Sequence, residues 1–110
     1  QTPISKTSFS ACGEPGFVEA LAQSGRKQAI VAGIESHVCV YQTTRDLLAT
    51  GLEVEVIGDA VSSRTEANYR LGIDRMANMG ATISSMEMCL FDLLGEAGSD
   101  VFKQISQLIR

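Results

Sequence analysis

Three short apolar runs, each handing over to a helical pattern, constrain this chain more than any other feature. Gln28 to Ala32, Leu52 to Ile57 and Ala81 to Ser84 have the length and content of buried strands. Helical spacing follows each of them and predicts helices over His37 to Thr50, Glu66 to Met79 and Met86 to Leu94. Gly51 and Gly80 supply the stops of the first two, and Ser84 or Ser85 the cap of the third. Strand and helix alternating in this way predict an α/β protein with a parallel sheet and right-handed crossovers, in a three-layer α-β-α arrangement. Val54, Val56 and Ile57 are then buried. Gly58 to Thr65 reads as a polar loop leaving the second strand. Ahead of the sheet, Phe17 to Gln23 reads as a helix with Phe17, Ala20 and Leu21 on one face and Gly25 as its stop. A last amphipathic helix, Asp100 to Ile109, has Val101, Phe102, Ile105, Leu108 and Ile109 to bury. Three strands are few against the roughly five or six of a typical sheet. The expectation is therefore that residues 1–110 are the C-terminal part of one larger domain, with further strands upstream or from another chain.

Composition narrows the classes of function. The 110 residues suffice for one core, and 45% apolar with 20% charged content suits a globular domain. Formal net charge is −4 and the basic residues are scattered, so a nucleic-acid surface is not expected. The apolar runs fall far short of the roughly 20 residues needed to span a membrane, and Gln1 to Ser5 lacks a signal pattern. A soluble, cytoplasmic protein is expected. Cys12, Cys39 and Cys89 are odd in number and well separated, with no Cys-x-x-Cys pair, so each is read as a free thiol and no structural zinc is expected.

Open α/β sheets keep their chemistry at the C-terminal ends of the strands. At the first such end, Gly33-Ile34-Glu35-Ser36-His37-Val38-Cys39-Val40, Ser36 is read as an N-cap with Cys39 in the first helical turn. A thiol at a helix N-terminus ionises more readily than a free one, and the thiolate is the nucleophile. The alternative is that Cys39 packs as a small hydrophobe. His37 is read as a first-turn residue rather than a ligand or base. Arg64 either reaches a substrate or braces a loop or subunit contact, and the Glu35 side chain is open to a structural ion pair. Met76, Met79, Met86 and Met88 suit core or interface filling. Gly33, Gly51, Gly58 and Gly72 form no dinucleotide-binding array.

Two segments at this spacing carry a recognisable pattern. Lys6-Thr7-Ser8-Phe9-Ser10-Ala11, followed by Gly33 to Val40, resembles the isochorismatase-like cysteine hydrolases, nearest to the isochorismatase-domain-containing branch. Thr44 to Leu48, Asp59-Ala60-x-Ser62-Ser63-Arg64 and Phe102 to Ile109 extend the resemblance over essentially the whole chain. The resemblance implies a Rossmann-like α-β-α fold. It implies hydrolysis of a small amide or related C–N bond through an acyl-thioester, with Cys39 as nucleophile and Lys6 as its electrostatic partner. It also implies a cis peptide at Ile34–Glu35 and an oxyanion hole formed by the backbone N–H groups of Glu35 and Cys39. Phe9 and Val38 would line the substrate pocket, with Cys12 where an aromatic is usual.

The family base is an aspartate in an apolar-run-then-Asp-x-Gln strand, and no such segment exists among these residues. That aspartate is expected in a part of the domain outside them, leaving this chain alone inactive. Relatives that bind a metal use aspartate and histidines in that same region, so no metal and no other cofactor are expected here. A small-molecule substrate and self-association into a homo-oligomer are implied. A non-catalytic binding or assembly subunit of the same fold is the alternative, and a redox-sensing thiol at Cys39 a third.

Overall fold

The computed structural model describes residues 2–109, so Gln1 and Arg110 lie outside the described residues. Strands β1 (Gln28–Ile34), β2 (Glu53–Ser62) and β3 (Thr82–Ser84) form one parallel sheet in the order β1-β2-β3. Helix α1 (Pro15–Ser24) precedes the sheet, α2 (Tyr41–Ala49) and α3 (Glu66–Asn78) are the crossovers, and α4 (Met86–Leu94) and α5 (Asp100–Leu108) follow it.

Alternation along the strands decides what the sheet covers. Val54, Val56 and Val61 of β2 join Val40, Leu47, Met76 and Ala81 in one buried cluster, against which Phe17, Leu21, Tyr41 and Ile73 pack. This is the α1, α2 and α3 side. Each fully buried aliphatic side chain there contributes roughly 1.5–3 kcal/mol. Glu55 and Ile57 point to the opposite face, where α4 brings Cys89 beside Glu55. Helices therefore lie on both faces, and the expected α/β architecture is present.

Capping explains where the helices begin. Thr65 accepts from Asn68 N–H at 3.2 Å, Ser85 from Met88 N–H at 3.1 Å and Ser99 from Phe102 N–H at 3.0 Å. Helix α1 starts earlier than its apolar periodicity indicates, because Glu14 caps it by accepting from Gly16 N–H at 3.2 Å and Pro15 occupies the first turn. Gly51, at φ +91°, turns the chain after α2 in a conformation that side chains resist.

Several expectations need correction. The stretch from Gly58 to Ser62 is strand, not loop: the β1–β2 register shifts between Val31 and Gly33, after which Gly33 pairs with Val61 and Ile34 with Ser62. Burial of Val61 against the core favours this continuation. Strand β1 likewise runs on through Gly33 to Ile34. Ser36 does not cap a regular helix; Ser36–Val40 is a π-helical turn leading into α2. In α5, Val101 and Leu108 are 53% and 82% exposed, and Ala20 of α1 is also exposed, so these positions are not buried within this chain. Among the described residues no helix is long and apolar enough to cross a membrane.

Candidate active site at the strand ends

The site is built where β1 ends. The Ile34–Glu35 peptide is cis, and the Glu35 carbonyl then accepts from Val38 N–H at 3.1 Å and Val40 N–H at 3.2 Å, closing the turn that carries Cys39. Ser36 is fully buried and its Oγ donates to the Tyr69 carbonyl of α3 at 2.9 Å. Ser36 lies inside the π-helical turn, and Glu35 holds the position before it with no side-chain cap, which is why the N-cap reading of Ser36 fails. Helix α3 comes this close because residue 72 is glycine. A Cβ there would lie 2.3 Å from Ser36 Oγ and 2.7 Å from the Ser36 backbone carbonyl.

Lys6 reaches the same turn from the N-terminal loop. Its ammonium donates to the Ser8 and Phe9 carbonyls, each at 2.9 Å, and lies 3.7 Å from Cys39 Sγ. Two carbonyls thus aim the third ammonium donor at the sulfur. The loop is fixed in turn: Ser8 Oγ donates to the Ser10 carbonyl at 2.7 Å, Ser10 Oγ accepts from Cys12 N–H at 3.1 Å, and Ala11 N–H donates to Thr43 Oγ1 of α2 at 2.9 Å. Phe9 contributes its carbonyl to Lys6 while its side chain is 61% exposed; Val38 is half-buried.

Two clasps join this turn to the exit of β2. Glu35 Oε2 accepts from Arg64 N–H at 2.9 Å and from Arg64 Nε–H at 3.1 Å, while His37 Nδ1 and Ser63 Oγ are 3.1 Å apart. The Arg64 backbone N–H, aided by its guanidinium, holds the Glu35 carboxyl below the usual carboxylate range. Tyr69 of α3 donates its hydroxyl to the Gly58 carbonyl. Ser63, Tyr69 and Gly72 were not legible as site residues, since their roles arise from partners distant in sequence.

All three cysteines are free thiols, but their surroundings differ. Cys39 is half-buried beside the Lys6 ammonium, whereas burial pushes the Cys12 and Cys89 thiols up. Two of the aspartates have other employment: Asp46 is held ionised by a hydrogen bond from Arg45, and Asp59 accepts from Met86 N–H at 2.8 Å at the start of α4. Among the described residues no group of three or more His, Cys, Asp or Glu side chains is placed to share a metal ion, and His37 is engaged with Ser63.

A model of the isochorismatase domain matches residues 1–88, and the chain belongs to the isochorismatase family. Among curated proteins it is similar to a secreted isochorismatase effector, Isc1, of Phytophthora sojae. The two are 47% identical over 85 residues, 77% of this chain and 40% of the relative. It is also similar to isochorismatase domain-containing protein 1 of Salmo salar, at 38% identity over 106 residues, 96% of this chain and 37% of the relative. The chain thus spans less than half the length of these two relatives. Among solved structures, the MAR1 ribonuclease of Caenorhabditis elegans aligns at a TM-score of 0.85 and 39% identity, covering 94% of this chain and 53% of that one. An octameric hydrolase of unknown specificity from Escherichia coli aligns at 0.70 and 30%, covering 74% and 40%. A pyrazinamidase/nicotinamidase from Streptococcus mutans aligns at 0.67 and 26%, covering 71% and 44%.

Proposed function

We propose that this chain carries the nucleophile half of a cysteine hydrolase acting on a small amide or related C–N bond. The observation that carries the reading is the Lys6 ammonium 3.7 Å from Cys39 Sγ, on a turn held at the ends of two parallel strands. The Cys39 sulfur attacks the carbonyl carbon, and the carbonyl pair moves onto oxygen. The N–H groups of Glu35 and Cys39 donate to that oxyanion, and Lys6 offsets the charge carried by the sulfur. Collapse breaks the C–N bond, the amine leaves with a proton, and water then cleaves the thioester. With Asp46 and Asp59 committed elsewhere, the reading assigns the acid–base carboxylate to a part of the domain outside residues 1–110. The S. mutans neighbour, whose name is that of an amidase, supports amide chemistry.

Three further elements belong to the same reading. Exposed Met86, Met88, Leu93, Val101 and Leu108, together with the octameric E. coli neighbour, support self-association. Three free thiols suit a reducing compartment such as the cytoplasm. RNA as substrate, suggested by the name of the C. elegans neighbour, is disfavoured by 13 acidic against 9 basic residues.

The test is a screen of small amides against the intact natural polypeptide, with acid quenching and peptide mass spectrometry. Expected is an acyl increment on the Cys39 peptide and loss of turnover in Cys39→Ala. Turnover that persists at the parent rate in Cys39→Ala overturns the mechanism; an intact, ligand-binding protein that never acylates favours the non-catalytic subunit.

A further inference from the structure

Glu35 stands where β1 stops and the Cys39 turn begins, and it is bonded on both sides. Its carbonyl accepts the N–H groups of Val38 and Val40, so its backbone closes the turn. Its carboxylate accepts the Arg64 backbone N–H at 2.9 Å and Arg64 Nε–H at 3.1 Å, both on Oε2. The last ladder pair between β1 and β2 is Ile34 with Ser62, so beyond it these side-chain bonds take over the work of joining the two segments.

Exposure shows which of the two bonds matters. The Arg64 side chain is 84% exposed and the Glu35 side chain 21%, and an ion pair with so exposed a guanidinium contributes little to stability. The Arg64 backbone N–H is different, because its position is set by the strand that precedes it. An acceptor held there fixes the Glu35 side chain, and through it the plane of the Glu35 backbone.

We infer that the Glu35 carboxylate is a positioning group: anchored on the Arg64 N–H, it sets the direction of the Glu35 backbone N–H relative to Cys39 Sγ. The inference rests on the reading above, in which that N–H is an oxyanion donor. Its consequence is selective. Reactions of Cys39 that pass through an oxyanion depend on Glu35, and reactions of the same sulfur that do not are spared.

Two reagents separate these cases in the intact natural polypeptide. With p-nitrophenyl acetate the Cys39 sulfur bonds to the acetyl carbon, a tetrahedral oxyanion forms, and the C–O bond breaks to release p-nitrophenolate. With iodoacetamide the same sulfur displaces iodide from carbon and no oxyanion forms. Glu35→Ala is expected to lower the ratio of acetylation to alkylation rates by about tenfold or more, the scale of a misplaced catalytic group. Glu35→Gln, whose amide oxygen still accepts the Arg64 N–H, recovers most of the ratio. Arg64→Ala, which keeps its backbone donor, changes it by no more than about threefold. If Glu35→Ala does not fold, Glu35→Met against Glu35→Gln makes the same comparison at similar side-chain volume. A ratio within about twofold of the parent in Glu35→Ala or Glu35→Met, including a parallel fall of both rates, overturns the positioning role while leaving the nucleophile intact. A parent protein that releases no p-nitrophenolate stoichiometric with Cys39 overturns the nucleophile assignment itself, and the positioning role with it.

Discussion

At the C-terminal ends of β1 and β2 side chains close on one another, whereas the other end and outer face of the same sheet leave apolar side chains open. The first region has Lys6 on Cys39, Ser36 on Tyr69, His37 beside Ser63 and Glu35 on Arg64. The second holds a cavity of about 870 Å³ lined in part by Ile30, Glu53, Glu55, Cys89 and Leu93, and none of the site residues borders it. The polar groups that converge on the Cys39 sulfur thus lie apart from this cavity. Ile30, on the wall of that cavity, is 54% exposed. Both regions contain a half-buried or buried thiol near charge, and only one of those charges is positive.

The sharpest way to break this comparison is to swap its thiols. Cys39→Ala is expected to abolish p-nitrophenyl acetate acetylation, while Cys89→Ala leaves it within about twofold, since burial beside Glu55 disfavours the Cys89 thiolate. Equal losses in the two variants would erase the distinction between the regions. Next in size is the core beneath the site. Met76 is fully buried, so Met76→Ala is expected to cost roughly 2–5 kcal/mol in denaturant unfolding.

Gly72→Ala sharpens the comparison because it adds a single methyl where α3 meets the Cys39 turn. With backbone atoms 2.7 Å from the new Cβ, a loss of about 1–3 kcal/mol is expected, accompanied by slower alkylation of Cys39. Acid should loosen the same end of the sheet. Glu35 has its folded pKa below the unfolded value of about 4.3. Its clasp thus stabilises fully above that value and is lost as pH falls through the lower folded pKa. The Arg64 amide resonance is therefore expected to titrate with a midpoint below about 4.3. Smallest of all, Leu108→Ala on the open side is expected to change the stability of the isolated chain by no more than about 0.5 kcal/mol, because Leu108 is 82% exposed. A larger change that grows with protein concentration would place α5 in an interface between copies.

Local signals read well where they were self-contained. The run Met86–Leu94 with Ser85 before it became α4, because a capping hydroxyl and an apolar stripe sit within one short segment. Thr65 and Ser99 cap α3 and α5 through equally local bonds. The segment Gly58 to Ser62 failed for the opposite reason: its polar letters describe a loop, and only pairing of Val61 and Ser62 with β1 makes it strand. Ser36 failed likewise, since its letter is that of a cap and the packing of its turn on α3, 33 residues away, places it inside the π-helical turn instead.

What the amino-acid string determined is the alternation of strands and helices, the caps, and the two segments holding Lys6 and Cys39, because each depends on neighbours in the chain. Tertiary structure decided that the Lys6 ammonium meets the Cys39 sulfur, that Gly72 admits Ser36, and that Glu35 is anchored to Arg64 rather than left in solvent. Those are contacts of 29 to 36 residues' separation, and no periodicity or propensity encodes a distance between side chains until the sheet brings its strand ends together.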